Sequence, residues 1–248
     1  MLRTALIAEL DALLQPERFK DYAPNGLQVE GQAHVRRVIT GVTASEALID
    51  AAIEWQADTI LVHHGYFWKG ENPCLTGMKR RRLARLLNHN INLLAYHLPL
   101  DAHPELGNNA CLARELEFVP QGQSGEQGLI WHGELPNEMT LSSLTTHVSQ
   151  RLGREALALG KPEQVLRRIA WCTGGADSLF SSVLDLDVDV FLTGEASEPC
   201  AHIAAETGVA FVAAGHHATE RYGIRALGEW LQANTELECR FVDIWNPV

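Results

Sequence analysis

A strand–helix–strand pattern occurs twice in the chain with the same spacing. This repeat restricts the fold classes that the chain can adopt. Residues 36–38 align with residues 167–169 at an offset of 131, and residues 58–61 align with residues 189–192 at the same offset. Apolar strands that alternate with helices are typical of a parallel α/β sheet. The pattern therefore predicts two α/β domains related by duplication. Because few residues are identical, two unrelated βαβ units of equal spacing are the alternative.

Residue types that bind metals follow the predicted strands. His63 and His64 end the second strand of the first pattern, where the second pattern has Gly194 and Glu195. Neutral imidazole is the commonest metal ligand in proteins, and adjacent residues of an extended chain point in opposite directions. The two histidines therefore suit two metal ions better than one. The alternative is a strand end whose histidines only hydrogen-bond to neighbouring loops.

The next strand of each half also ends in a histidine, with a carboxylate four residues later. For this strand the offset becomes 119, which places His97 on His216 and Asp101 on Glu220. A helix would bring His216 within one turn of Glu220, whereas a proline between His97 and Asp101 favours a loop there. Ligands of parallel α/β sheets bind at the carboxyl ends of strands. These four residues are therefore predicted to share one site with the histidine pair.

The donor types indicate which metals the predicted site prefers and what chemistry it supports. Imidazoles mixed with carboxylates suit Zn, Fe, Mn or Ni, whereas oxygen-only sites suit Ca or Mg. Two metals bridged by a carboxylate are typical of hydrolases, and Asp101 or Glu220 is the predicted bridge. His97 or Glu195 is the predicted proton shuttle. For His97, the equal alternative is that it does not act on the substrate but hydrogen-bonds to a metal ligand and orients it.

Two other stretches contain residues that attract phosphate. Residues 173–178, Thr-Gly-Gly-Ala-Asp-Ser, lie between a predicted strand and a predicted helix, whose first amides suit a phosphate. A tight turn is the alternative there. A second predicted helix carries a basic run from Lys79 to Arg85, which also suits phosphate, and a solvated helix face is the alternative. The chain has no P-loop, no GxGxxG after a strand and no GxSxG elbow.

A segment rich in Gly, Gln and Ser, residues 120–128, predicts a domain boundary. The predicted domains are residues 1–124 together with 216–248, and residues 125–215. Residues 21–29 predict a tight turn that packs the first, amphipathic helix. The other predicted elements are strands at 35–42, 58–63, 91–96, 129–135, 166–173, 189–193, 209–214 and 239–244, and helices at 44–55, 107–116, 139–152, 176–186, 198–207 and from 218 to about 234.

Charge and cysteine content limit the compartment and the partners. The chain of 248 residues has a formal net charge of −11, which argues against sequence-independent binding to nucleic acid or anionic lipid. Its five cysteines form no CxxC pair, which indicates a reducing compartment and argues against a thiolate zinc site. No apolar run approaches the roughly 20 residues that span a bilayer. The sequence therefore predicts a cytoplasmic protein.

Six motifs, in order from residue 22 to residue 227, resemble those of one family. They are YAPNGLQVEG, VHHGYFWKG, HLPLDAHPELGNN, TGGADS, TGEASE and AAGHHATERYGIRAL. The family is that of the GTP cyclohydrolase 1 type 2 homologues, also called NGG-interacting-factor-like proteins. The resemblance implies two interlinked α/β domains with a dinuclear metal site in the cleft between them, and a ring-shaped homohexamer. It also implies two divalent ions per subunit, held by His63, His64, Asp101, His216 and Glu220.

The family name implies hydrolytic opening of the imidazole ring of guanine in GTP by a metal-activated water. The predicted function is therefore metal-dependent hydrolysis of a small-molecule substrate, a purine nucleotide or a related heterocycle. The alternative is a non-catalytic metal-binding or interaction protein whose metals hold the domains and the oligomer together. The short middle of the chain corresponds to the compact form of the family, without the domain that other members insert between the halves.

Overall fold

A computed structural model describes the chain from Met1 to Val248. Its strands are, in chain order, β1 (Gly26–Val29), β2 (Arg37–Thr43), β3 (Thr59–His64), β4 (Asn92–Ala95), β5 (Val119–Ser124), β6 (Ile130–Thr140), β7 (Leu157–Leu159), β8 (Val165–Trp171), β9 (Val190–Thr193), β10 (Ala210–Ala213) and β11 (Glu238–Phe241). Its α-helices are α1 (Arg3–Leu14), α2 (Glu46–Glu54), α3 (Gly77–Asn88), α4 (Leu98–Ala102), α5 (Asn108–Glu115), α6 (Leu141–Leu152), α7 (Phe180–Val183), α8 (Glu198–Thr207) and α9 (His216–Asn234).

The chain divides into two compact units, each built on its own β-sheet. Unit 1 comprises Met1–Gly107 and Gly223–Trp245, and unit 2 comprises Asn108–Tyr222 and Asn246–Val248. The sheet of unit 1 has the strand order β1-β4-β3-β2-β11, and the sheet of unit 2 has the order β5-β6-β8-β9-β10-β7. The prediction of two α/β domains is confirmed.

Three neighbouring strands at the centre of each sheet are parallel, namely β2, β3 and β4 in unit 1 and β8, β9 and β10 in unit 2. Successive side chains of a strand point to opposite faces. Ile60 accordingly packs in one core cluster with Leu48 of α2, and Leu61 packs in another with Leu6 of α1. Because both faces of the strand are covered, its three central residues, 60–62, are all apolar, as is typical of parallel sheets.

The predicted duplication holds residue for residue in the first two strands of each pattern. Val38 of β2 pairs with Thr59 of β3, and Ile169 of β8 pairs with Val190 of β9. Both pairs are separated by the predicted offset of 131 residues. The register of the parallel strands is therefore the same in the two sheets.

The two sheets also share one hydrogen-bonding device at the start of the repeat. Asp58 Oδ2 accepts hydrogen bonds from the backbone N–H groups of residues 36 and 37, at 2.6 and 2.8 Å. Asp189 Oδ2 accepts from the N–H groups of residues 167 and 168, at 2.8 and 2.7 Å. In each unit a single carboxylate thus fixes the chain at the entry to the first strand of the repeat.

The third strand of the repeat is displaced by one residue from the predicted alignment. Thr59 pairs with Asn92 in unit 1, and Val190 pairs with Ala210 in unit 2. Because residues 59 and 190 are equivalent, the offset for β4 and β10 is 118 and not 119. Helices α4 and α9 also begin 118 residues apart, in agreement with the strand pairing.

The alignment of His97 with His216 and of Asp101 with Glu220 is therefore wrong by one residue. The predicted alignment matched residue types. The equivalence of the strands is determined instead by which backbone groups pair with the neighbouring strand. The predicted loop between His97 and Asp101 is also wrong, because α4 begins at residue 98 and contains Asp101. Pro99 lies in the first turn of this helix, where a missing N–H costs nothing.

The Gly-, Gln- and Ser-rich segment forms sheet structure in unit 2. Strand β5 pairs antiparallel with β6, and α5, which precedes it, also belongs to unit 2. The unit boundaries lie at 107/108 and 222/223, and they differ from the predicted ones at 124/125 and 215/216. The predicted helix at 176–186 is α7 flanked by two single 3-10 turns, Asp177–Leu179 and Leu184–Leu186.

No helix of the chain combines the length and the apolar content that a membrane span requires.

Candidate metal centre

Three imidazoles meet at the carboxyl end of the parallel strands of unit 1. His63 and His64 are the last residues of β3, and His97 lies two residues beyond the end of the adjacent strand β4. Their ligand atoms lie within 4.8 Å of one another, so the three residues are able to hold a metal ion. The ring centroids of His63 and His64 are 4.5 Å apart.

The hydrogen bonds of His63 determine which of its nitrogens is suited to bind a metal. His63 is fully buried, and its Nδ1 lies 3.1 Å from the carbonyl oxygen of Tyr96. A carbonyl oxygen only accepts, so Nδ1 carries the proton and the lone pair of the neutral ring is on Nε2. Asp101 Oδ1 lies 3.4 Å from that Nε2. This arrangement is typical of metal-binding histidines, whose second nitrogen donates to an oxygen.

His97 is held by two residues of the turn before β1. Its Nδ1 lies 2.7 Å from Asp21 Oδ1, and its backbone N–H donates to Asn25 Oδ1 at 2.8 Å. Burial alone acts to raise the pKa of Asp21, but the hydrogen bond and charge of His97 outweigh it and lower the pKa to about 2. Sequence reasoning missed this role and assigned residues 21–29 to packing, although an aspartate beside an Asn-Gly turn was a visible signal.

The loop after β3 covers the imidazoles with an aromatic ring. The ring of Trp68 lies 5.9 Å from that of His64 and 5.0 Å from that of His97, edge to face in the second case. The loop is fastened by Gln28, whose Oε1 accepts from the N–H of Tyr66 at 2.6 Å. Gly65 is required at this point, because a Cβ there would lie 2.2 Å from Gln28 Oε1.

One imidazole and two carboxylates meet in unit 2. His216 Nδ1 lies 2.5 Å from Glu195 Oε1, and His216 Nε2 lies 3.0 Å from Glu220 Oε2. Helix α9 begins at His216, so residues 216 and 220 share one helix face, as predicted. Glu195 follows β9, and Glu220 is only 3% exposed.

The Thr-Gly-Gly-Ala-Asp-Ser motif makes room for these carboxylates. A Cβ at Gly174 would lie 2.0 Å from Glu220 Oε1 and 3.2 Å from His216 Nε2. The N–H groups of Gly174 and Ala176 donate to the hydroxyls of two threonines, Thr219 and Thr193. A single 3-10 turn and the four-residue helix α7 follow. The predicted phosphate cradle is therefore not formed, and the turn alternative is correct.

The predicted basic helix is α3, and its charges are used at the surface. Arg85 forms an ion pair with Asp50. Lys79 Nζ lies 3.1 Å from Glu71 Oε2 and 5.0 Å from the centre of the Phe67 ring. These contacts fit the solvated helix face rather than a phosphate-binding rim.

Comparison with known proteins places the chain in a family. The family model described as Duf34/NIF3 (NGG1p interacting factor 3) matches residues 1–247. The chain belongs to this family.

The relatives of this DUF34/NIF3 member are similar over the whole length. A Pseudomonas aeruginosa protein, named GTP cyclohydrolase 1 type 2 homolog, is 53% identical and covers 98% of each chain. An Escherichia coli K12 protein of the same name is 51% identical and covers 100% of each chain. The predicted resemblance is therefore confirmed.

Solved structures share the fold. The structure of the protein ybgI, described as of unknown function, has a TM-score of 0.97 and 52% identity, with full coverage of both chains. The crystal structure of TTHA1606 from Thermus thermophilus has a TM-score of 0.89 and 36% identity, again with full coverage of both.

Substitution of Gly174 by alanine in this DUF34/NIF3 member is expected to weaken metal binding without removing any ligand. The added Cβ would displace the Glu220 carboxylate, which lies 2.0 Å from its position. The matched control is Gly153→Ala, because Gly153 has the same φ of +71° against +70° for Gly174, and nothing lies within 4 Å of its Cβ position. Titration of both variants with Zn²⁺ should show weaker binding for Gly174→Ala alone. Equal affinities in the two variants would contradict the steric argument.

The metal-free protein is expected to lose stability as the pH rises from 6.5 to about 9. Burial lowers the pKa of His216, but the hydrogen bonds and charges of Glu220 and Glu195 outweigh it and raise the pKa from 6.5 to about 9. The pKa of His216 is higher in the folded than in the unfolded protein, so its interactions with the two carboxylates stabilise the fold fully below pH 6.5. This stabilisation disappears as the pH passes 9. Urea unfolding in the presence of a chelator measures it. Glu195→Gln should flatten the dependence, and an unchanged profile in that variant would count against the assignment.

Proposed function

We propose that the chain binds two divalent metal ions and uses them to hydrolyse a purine nucleotide or a related heterocycle. The proposed metal ligands are His63, His64, Asp101, His216 and Glu220. Imidazole and carboxylate donors without thiolates suit Zn, Fe, Mn or Ni. Divalent ions of this kind supply a bound water that is acidic enough to act as a nucleophile near neutral pH.

One observation carries the proposal. Each of four histidines has its Nδ1 beside an oxygen atom, which makes Nε2 the nitrogen that binds a metal or, in His97, accepts a proton. The oxygen partners are the Tyr96 carbonyl for His63, the Thr43 hydroxyl for His64, the Asp21 carboxylate for His97 and the Glu195 carboxylate for His216. Metal-binding histidines are almost always oriented in this way.

The protonation states assign further roles in the proposed reaction. Asp21, with its pKa lowered to about 2, stays ionised and holds the Nδ1 proton of His97. The other nitrogen of His97 then accepts a proton from the attacking water and returns it to the leaving nitrogen. Glu195 lies beside Nδ1 of His216, as Asp21 lies beside Nδ1 of His97. The ring of Trp68 provides a flat apolar surface beside His97 on which a heterocycle can stack.

The names of the relatives support the choice of substrate class. The Pseudomonas aeruginosa and Escherichia coli proteins are both named GTP cyclohydrolase 1 type 2 homolog. Opening of the guanine ring by water is a hydrolysis of the kind that dinuclear centres carry out.

The test is turnover by protein that has been stripped of metal and reloaded with one ion at a time. GTP and a panel of purine nucleotides are assayed with the Zn, Fe, Mn and Ni forms. Metal-dependent turnover that is lost in Glu220→Gln supports the proposal. Metal binding without turnover of any nucleotide would reject the hydrolase and favour a structural role for the metals.

Assembly into a ring of six chains forms part of the proposal, since the family resemblance implies it. Sedimentation of the metal-loaded and the metal-free protein tests it. A monomer in both states would contradict it.

A further inference from the structure

Unit 2 contains a cavity of 610 Å³ at the carboxyl ends of β9 and β10. Gly194 and Glu195, which follow β9, and Ala213, the last residue of β10, form one side of it. Arg154 also lines the cavity. Ligands of parallel α/β sheets bind at this edge, and the volume is within the range of small-molecule sites.

The guanidinium of Arg154 lies against the backbone of Gly215. A Cβ at Gly215 would lie 2.1 Å from Arg154 Nη1 and 2.9 Å from Arg154 Cζ, and the φ of +101° there also requires glycine. The next residue is His216 of the candidate metal centre. The packing thus places the positive charge next to the backbone that carries His216.

Arg154 differs from the other arginines of unit 2 in having no acceptor. The half-buried side chain makes no hydrogen bond or ion pair with another residue of the chain. Every other arginine of unit 2 has at least one such contact, namely Arg114, Arg151, Arg167, Arg168 and Arg221. A half-buried guanidinium with five donors and no acceptor is suited to receive one from a ligand.

Arg154 is the single cation of the lining, which also contains the carboxylates of Glu155, Glu195 and Val248. Val248 accepts a hydrogen bond from the backbone N–H of His217 at 3.0 Å. The Glu195 carboxylate accepts a hydrogen bond from His216 Nδ1 at 2.5 Å, so its negative charge is directed to that histidine. Glu155 is exposed. A planar guanidinium binds phosphate or carboxylate groups through two parallel hydrogen bonds, which a lysine cannot imitate.

We infer that Arg154 binds an oxyanion, a phosphate or carboxylate group, in this cavity and so positions the substrate beside Glu195 and His216. The placement of the anion on the substrate rests on the proposed function, whereas the binding of the anion itself does not. Arg154 is then a residue that selects substrates carrying an anionic group.

The first experiment is protection of Arg154 from phenylglyoxal in the full-length protein. The modified arginines are mapped by mass spectrometry with and without inorganic phosphate, pyrophosphate or acetate. Protection by either phosphate probe identifies a phosphate site, and protection by acetate alone identifies a carboxylate site. The exposed Arg80 is the internal reference and should react equally throughout. If no anion slows the modification of Arg154 relative to Arg80, the inference is wrong.

The second experiment compares two variants with the same change in charge. Arg154→Gln should weaken binding of the protecting anion at least tenfold, whereas Arg167→Gln, an exposed cation of the same unit, should leave it unchanged. Equal binding by both variants would overturn the inference. If a nucleotide is turned over with the same KM by Arg154→Gln, the inference fails while the proposed function stands. Protection of Arg154 in a protein without turnover supports the anion site and rejects the hydrolase.

Discussion

Replacement of Asp101 by asparagine is expected to remove at least one of the two proposed metal ions. Asp101 is 6% exposed, and its Oδ1 lies 3.4 Å from the metal-facing nitrogen of His63. Asparagine keeps the shape but removes the negative charge and one acceptor oxygen. Loss of an outer-shell partner typically costs 10- to 100-fold in metal affinity, so loss of a ligand should cost more than about 100-fold.

Elemental analysis and competition with a chelator measure this loss. The matched control is Asp50→Asn, an exposed aspartate of the same unit that pairs with Arg85 at the surface. Circular dichroism of the Asp101→Asn protein establishes that the overall helix content is unchanged. An unchanged metal content and affinity in Asp101→Asn would remove this residue from the ligand set.

Replacement of Asp58 or Asp189 by alanine is expected to destabilise the unit that contains it. Each carboxylate accepts two backbone hydrogen bonds of 2.6 to 2.8 Å. Hydrogen bonds to a charged group contribute about 1.5–3 kcal/mol each, so the loss should be on the order of 3 kcal/mol or more. Asp58→Ala should be the more damaging, because Asp58 also accepts from the side-chain amide of Gln32.

Urea unfolding measures the loss, and hydrogen exchange shows which sheet it affects. Exchange should accelerate in the sheet of unit 1 for Asp58→Ala and in the sheet of unit 2 for Asp189→Ala. Asp185→Ala is the control, since this aspartate is exposed and has no hydrogen-bond partner. A surface change of this kind should alter stability by no more than about 0.5 kcal/mol. Similar stabilities for all three variants would refute the structural role of the paired aspartates.

The sequence was sufficient for the register of β2 with β3 and of β8 with β9. The alternation of apolar runs and helices is repeated there without insertions, so one offset aligns both strands. The third strand follows loops of different length, and the match of His97 with His216 then shifted the alignment by one residue. Backbone pairing sets that register, and residue types at the strand ends carry no information about it.

The sequence-based interpretation was wrong in two further places. Pro99 indicated a loop, yet a proline in the first turn is compatible with α4. Residues 120–128 have the composition of a linker, yet β5 is stabilised by its pairing with β6. Asp21 was missed for a related reason, since its partner His97 lies 76 residues away. The candidate ligands came from the donor types that follow the predicted strands, and the family resemblance then selected five of them.

The donor groups of the two units differ in chemical hardness. Unit 1 offers three imidazoles in one group and one carboxylate, that of Asp101, beside His63, whereas the single imidazole of His216 in unit 2 is flanked by two carboxylates. The two sheets share their structural aspartates but not the donor atoms of these two groups. Nitrogen-rich and oxygen-rich surroundings favour different divalent ions. Under the proposed function, the ions bound by the two groups would be inequivalent, so they would bind in two steps and a mixed pair of metals would be accepted more readily than by two identical groups.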